Sequence, residues 1–530
     1  MAVVATSASV KSDQATDEAE QLTREDSSNA EQGADGFGAA KFDYWAISAV
    51  YFLYFASNSC LVPFFSVFYT SQGLTPSQVG ILLALRPAAM LFAGPIAGNI
   101  ADQLGTSKPV LMVQLCMGAA LRMCLRLSSD FGVLCMIVLF AESVASGFAP
   151  VLDGHVMKVL HSVGQEAHYG RMRLWGAVGW GLFSVVSGSA QSWDLFGLGQ
   201  NVMFLLNITI ACIAAVALYR MPGVPQSERV ATAVGPGSDA STAPPSPGGQ
   251  GGAPGGLGGV EGGDTEAALS AAAPVRRPPS KTAALRVLLQ PYILCFGVTV
   301  LCMGMLMGII TNFLFIWLEE QGGGANVMGW SLFFTCVSEV PLFHFSGALI
   351  ARFGNTVLLV AALVCYGVRL VAYSFLSNAW AVLPIELLHG VTFGVGWACC
   401  VAFAAEIAPP GLGSTVQGVL AGIHWGIGNS IGAIVGGFAY AAWGGQRTWW
   451  ACEALVAVGL AAAAATIRLS PGGNGKATAA ASSYAAVQWD ETDVLQAENQ
   501  TDSGSVSLEL ARVRKASAAD SEEEVLDTVV

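Results

Sequence analysis

Gly98-Asn99-Ile100-Ala101-Asp102-Gln103-Leu104-Gly105 ends one long apolar stretch, and Gly347-Ala348-Leu349-Ile350-Ala351-Arg352-Phe353-Gly354 ends another. Both read G-x-x-x-x-x-x-G. Working outward, each occupies the corresponding place in an apolar block, at 42–221 and at 288–470. A block of that size holds six membrane-crossing helices of about 20 residues with short turns between them. Spans are predicted near 43–69, 77–101, 109–127, 131–152, 172–190 and 200–219. In the second block they fall near 291–318, 327–350, 356–376, 380–404, 413–442 and 448–468. The fold class is an all-α polytopic membrane protein, with twelve transmembrane helices in two pseudo-symmetric six-helix bundles.

Composition agrees. Of 530 residues, 53% are hydrophobic and 12% charged, where a soluble domain carries about 25% charged residues. The deficit excludes an ordinary soluble enzyme, a disordered regulator and a nucleic-acid binder, and a net charge of −13 argues again against polyanions. That acidity lies in the ends. Residues 1–41 hold eight acids and three bases, and residues 471–530 hold eleven acids and four bases. Both read as disordered acidic tails, so the charge says nothing about what the bundles bind. The segment 222–287 carries 10 prolines and 13 glycines and reads as a disordered tether between the halves. All twelve cysteines fall in apolar segments and read as small buried hydrophobes.

Lysine and arginine placement orients the chain. One side holds Lys41, Lys108, Lys158, Arg171, Arg173, Arg276, Arg277, Lys281, Arg286, Arg352 and Arg468, while the opposite loops hold Arg447. Both tails and the tether are therefore expected in the cytoplasm. Residues 1–41 lack the apolar core of a secretory signal. The membrane that receives the chain is not legible.

The chain resembles the major facilitator superfamily. Gly98, Asp102, Gly105 and Lys108 look like its loop signature, with Gln103 where a basic residue is usual. Phe313–Glu319, Ser338–Pro341, Tyr169–Gly176, Glu386–Gly390 and Ala408–Gly411 resemble the "MFS-associated" branch, grouped with lactose-permease-like and nucleoside-symporter-like carriers. The resemblance implies a central cavity between the halves, lined in part by the tenth span. Lactose-permease-like carriers place His and Glu three residues apart in that span, with an Arg in the ninth. Here the order is Glu386 then His389, with Arg369 in the ninth span.

An ionisable side chain inside a bilayer is costly unless paired or wetted, which makes each one a candidate. Glu386 and His389, three apart on a helix, can meet and exchange a proton near neutral pH. Glu339, before Pro341, and Arg369 are expected to join them in a proton-coupling network. Arg86 and Glu142 are expected partners at the substrate cavity, with Asn58, Asn312, Trp397, His424 and Asn429 as further lining groups. Thr311, Gln417 and Trp425 are weaker candidates. Arg122 and Arg126 are expected to snorkel to the interface. Asp102 with Arg171 and Arg173 is expected to form a cytoplasmic gate latch.

His155, His161 and His168 are placed in a solvated loop between the fourth and fifth spans, with no metal spacing. Arg512–Ser517 resembles a kinase site, and Thr528-Val529-Val530 resembles a PDZ-binding end. No enzyme motif, metal site or cofactor site is present in the sequence. The reading is a proton-coupled symporter of a small polar solute, of sugar or nucleoside type. The alternatives are a uniporter or exchanger, or a non-transporting receptor or scaffold.

Overall fold

The structure, a computed structural model, describes residues 43–165, 168–223, 289–408 and 412–470. The tails, most of the tether, the kinase and PDZ motifs and Pro409-Pro410-Gly411 lie outside the described residues. The first block contains α1 (Tyr44–Ser71), α2 (Pro76–Gln103), α3 (Lys108–Leu127), α4 (Phe131–Ser162), α5 (Tyr169–Ser192) and α6 (Gly199–Arg220). The second contains α7 (Pro291–Glu320), α8 (Ala325–Phe353), α9 (Asn355–Ser374) and α10 (Ala379–Ile407), followed by the stretch Thr415–Leu469.

Among the described residues, ten helices are long and apolar enough to cross a membrane. The last stretch accounts for two spans, because Gly444 breaks it at φ 74°. Its first part, α11 (415–443), runs parallel to α7, with Gly428 on Gly304 and Gly436 on Phe313. Its second part, α12 (445–469), returns antiparallel and brings Gly459 back to Cys302. The less apolar α5 completes a set of twelve.

Local chemistry sets the helix ends. Asp43 caps α1 by accepting from the Ala46 amide at 3.0 Å, and Thr75 with Gln78 forms a capping box ahead of Pro76. The repeated motif has a backbone cause. Its second glycines, Gly105 at φ 61° and Gly354 at φ 80°, take the left-handed turn that follows α2 and α8. Prolines loosen the spans from within: Pro63 sits in a 3-10 turn of α1, Pro87 and Pro95 lie in α2, and Pro341 lies in α8. Two spans carry a π-helical turn, Gly390–Val395 in α10 and Gly422–Gly428 in α11. Such turns mark functional sites frequently.

The halves meet along two antiparallel seams, α5 on α8 and α2 on α11. Ser184 Oγ donates to the Gly329 carbonyl at 3.1 Å, and Ser189 Oγ bonds Asn326 Oδ1 at 3.1 Å. A Cβ on Gly188 would strike the Ala325 carbonyl, so the seam requires small residues. In the other seam Ser430 Oγ donates to the Ala84 carbonyl at 3.2 Å. Phe64 and Phe315 pack across the halves, with ring centroids 5.6 Å apart.

All these contacts lie away from the face where Arg220 ends α6 and Pro291 starts α7. Toward that joining face the halves part, leaving Phe92 and Ile96 of α2 and Phe345 of α8 exposed.

One sequence-based boundary needs correction. α4 continues to Ser162, well past the predicted end near 152. The amphipathic run Val156–Leu160 extends the helix beyond the apolar zone, with Val156, Val159 and Leu160 buried. His155 is therefore a buried helical residue whose Nε2 lies 3.1 Å from the Pro222 carbonyl, and His161 also lies on the helix. His168 stands at the entry to α5.

Candidate functional site

Each half buries a charge cluster at mid-bundle. In the first half, Arg122 grips Glu142 with both edges of its fork, Nε to Oε1 at 2.8 Å and Nη2 to Oε2 at 3.0 Å. Its Nη1 donates to Asn58 Oδ1 at 2.9 Å, and Asn58 Nδ2 donates to the Tyr54 carbonyl. Arg86 approaches Glu142 Oε2 with Nε at 3.3 Å.

Arg122 corrects the sequence reading. It is not an interface residue but is 5% exposed, the principal partner of Glu142. A desolvated carboxylate takes the bidentate donor that can reach it, and α3 brings Arg122 there. Arg126, a turn further on, is at the surface, where its Nε donates to Asn201.

In the second half the centre is Arg369, only 1% exposed. Its Nε donates to Tyr373 Oη at 3.0 Å, Nη1 to Thr392 Oγ1 at 2.9 Å and Nη2 to Glu386 Oε2 at 3.1 Å. Nη1 also lies 3.2 Å from His389 Nδ1. Tyr373 Oη donates to Glu386 Oε1. His389 Nε2 faces Glu339 Oε2 at 3.8 Å.

The order along the network is therefore Glu386, Arg369, His389, Glu339. Glu386 and His389 share a helix but not a bond, because Arg369 stands between them. The chain tightens at Leu388 and passes into the π-turn at Gly390, which departs from regular i,i+3 geometry.

Arg369 supplies hydrogens only, so its approach assigns the acceptor role to His389 Nδ1. In the neutral ring the remaining hydrogen sits on Nε2, aimed at Glu339. Both Glu386 oxygens are taken by Arg369 and Tyr373. Glu339, whose side chain is 21% exposed, is the network's open end toward the cavity.

An aromatic wall adjoins this end. Phe393 stacks on His389 at 5.5 Å and meets Trp425 at 5.4 Å, while Trp397 packs on His424 at 5.0 Å. Both π-turns contribute to it. His424 is buried, with Nδ1 3.4 Å from the Val300 carbonyl. Asn312 Nδ2 bonds its own helix at the Gly308 carbonyl, 2.8 Å away, and the Asn429 backbone packs against Gly308. Gln417 Nε2 donates to the Val401 carbonyl at 2.8 Å, and Thr311 is exposed.

At the joining face Asp102 pairs with Lys158 at 2.9 Å. Arg173 lies 3.8 Å from Asp153 and 4.4 Å over the Phe55 ring, and Arg171 accepts at its carbonyl from Tyr44 Oη. Neither arginine touches Asp102 among the described residues. The Asp102–Lys158 pair is exposed, so Asp102→Asn should change thermal stability by less than about 1 kcal/mol. Its expected effect is instead on the balance of open and closed states, read by labelling cysteines placed at the joining face. A loss of stability much above that figure would show a structural role.

Reasoning from sequence alone missed Tyr373 and Thr392 and the pairings of Lys158 and Asp153. Tyr373 was within reach, since it follows Arg369 by four residues on one helix. The others pair between different helices, where no spacing within one helix marks them.

Comparison with known proteins fits this arrangement. The family described as "MFS_1 like family" matches residues 44–451. Maltose permease of Geobacillus stearothermophilus is 24% identical over 400 residues, 74% of this chain and 86% of that protein. The human major facilitator superfamily domain-containing protein 6-like is 30% identical over 149 residues, 28% of this chain and 25% of that protein. Lactose permease of Citrobacter freundii is 27% identical over 189 residues, 34% of this chain and 43% of that protein. The crystal structure of nucleoside transporter NupG superposes with a TM-score of 0.61 at 12% identity, covering 80% of this chain and 98% of that one, a likeness of fold. With a match spanning most of the chain and both bundles, the chain belongs to the MFS_1-like family and is a multi-pass membrane transporter, not an enzyme.

Proposed function

We infer that this transporter is a proton-coupled symporter of a small polar solute, of sugar or nucleoside type, working by alternating access. The observation that carries the reading is the Glu339–His389–Arg369–Glu386 network, with one carboxylate at the cavity and the other held fast. Glu339 takes up and releases the proton beside the His389 Nε2 that faces it; Glu386 is the fixed counter-charge to Arg369. The solute enters beside them, between the aromatic wall and Arg86. The basic residues at the joining face put that face in the cytoplasm, so the arrangement described is inward-open.

The test uses the full chain in sealed liposomes with a trapped pH dye. Addition of the transported solute should bring protons with it in the wild type. In Glu339→Gln the proton signal and uphill accumulation should vanish, while exchange of solute down its gradient persists. Undiminished uphill uptake in Glu339→Gln would overturn the coupling.

A further inference from the structure

The charges of the two clusters point to the kind of solute. Together they hold three guanidiniums, Arg86, Arg122 and Arg369, and three carboxylates, Glu142, Glu339 and Glu386. With Glu339 ionised the set is neutral. When Glu339 carries the proton, the set holds one positive charge in excess.

That excess resides at Arg86. Arg122 hydrogen-bonds both oxygens of Glu142, whereas Arg86 approaches Oε2 with Nε at 3.3 Å. Among the described residues neither Nη of Arg86 makes a hydrogen bond. Its side chain is 40% exposed, against 7% for Arg122. It lies between two contacts of the α2–α11 seam, Ala84 bonded to Ser430 and Leu91 against Gly426, and beyond Leu91 the residues Phe92 and Ile96 are exposed. The half-free edge of a planar fork is the shape that takes a carboxylate through two parallel hydrogen bonds.

We propose that Arg86 docks the carboxylate of a small monoanionic solute, which crosses together with one proton held at Glu339. The proposal rests on the proton-coupled reading above and narrows its polar solute from a neutral sugar or nucleoside to a sugar acid or other small carboxylate. Charge then balances in both reorientations. The empty carrier moves with Glu339 ionised and the clusters neutral. The loaded carrier moves with one added proton and one added carboxylate, again neutral. A neutral solute with a proton would drag an unbalanced positive charge through the bilayer, where such a charge is costly. The other charges near Glu339 do not alter the sum. Across the halves it feels Arg173, which is paired with Asp153, and on its own helix His344 packs against Phe345.

The experiment again uses the full chain in liposomes, with membrane potential set by potassium and valinomycin. Lactate, gluconate and glucuronate are the monocarboxylate probes; maltose and uridine are the neutral comparators. At least one monocarboxylate should enter with protons at a rate independent of the imposed potential. Arg86→Gln should raise its half-saturation concentration roughly 100-fold, and Arg86→Lys about 10-fold, with the melting temperature of both near wild type.

Proton influx driven by maltose or uridine, and lost in Glu339→Gln, overturns the anion while leaving coupling intact. Uphill carboxylate uptake that survives Glu339→Gln overturns the coupling while leaving Arg86 as the dock. An unchanged half-saturation in Arg86→Gln overturns the dock. The proposal also falls if no monocarboxylate of the panel is moved or raises the melting temperature of the detergent-solubilised chain.

Discussion

Replacing Arg369 by alanine should destabilise the full chain by about 3–5 kcal/mol, the cost of leaving a buried charge without its partner. The side chain donates to Tyr373, Thr392 and Glu386 and approaches His389, all from a position 1% exposed. Its removal strands Glu386, whose other contact in the network is the Tyr373 hydroxyl. Tyr373→Phe should cost less, about 1–2 kcal/mol, because Arg369 still neutralises Glu386. Thermal unfolding of the purified variants in detergent gives the comparison. An Arg369→Ala variant as stable as Tyr373→Phe would show that the ion pair does not hold this half together.

The second large effect is an asymmetry in the first half. Glu142→Gln leaves Arg86 and Arg122 facing each other with no carboxylate between them, so a loss of about 3–5 kcal/mol is expected. Arg86→Gln leaves Glu142 fully gripped by Arg122, and the expected change is below about 1 kcal/mol. Two members of one cluster should thus differ by several kcal/mol in stability. The same unfolding assay checks it, alongside uptake. Equal destabilisation by the two substitutions would mean that Arg86 and Arg122 share Glu142 evenly, leaving no guanidinium edge for a ligand.

The candidate site was legible in part. Glu339, Arg369, Glu386 and His389 stand out because charges inside an apolar run are few, and the structure gathers all four into one network. Their order was not legible. Helical spacing predicts Glu386 beside His389, but the tightened turn at Leu388 and the π-turn after it rotate the two apart and admit Arg369. Arg122 was misplaced for a related reason. Its closeness to the end of an apolar run suggests an interface, whereas its depth is set by where α1 and α4 put Asn58 and Glu142.

The sequence by itself determined the number of spans, their duplication, the glycine turns that end α2 and α8, and most of the charges that lie inside the apolar runs, Arg122 excepted. These follow from local quantities. A bilayer of given thickness demands an apolar run of given length, and a left-handed turn demands glycine whatever surrounds it. Only the tertiary structure decided who pairs with whom: Arg122 with Glu142 and Asn58, Arg369 between Glu386 and His389, and Arg86 with an edge to spare. Those choices depend on how each helix is rotated about its axis and tilted against its neighbours. Packing at glycines, prolines and π-turns sets that rotation, and it joins residues whose separation along the chain carries no trace of their contact.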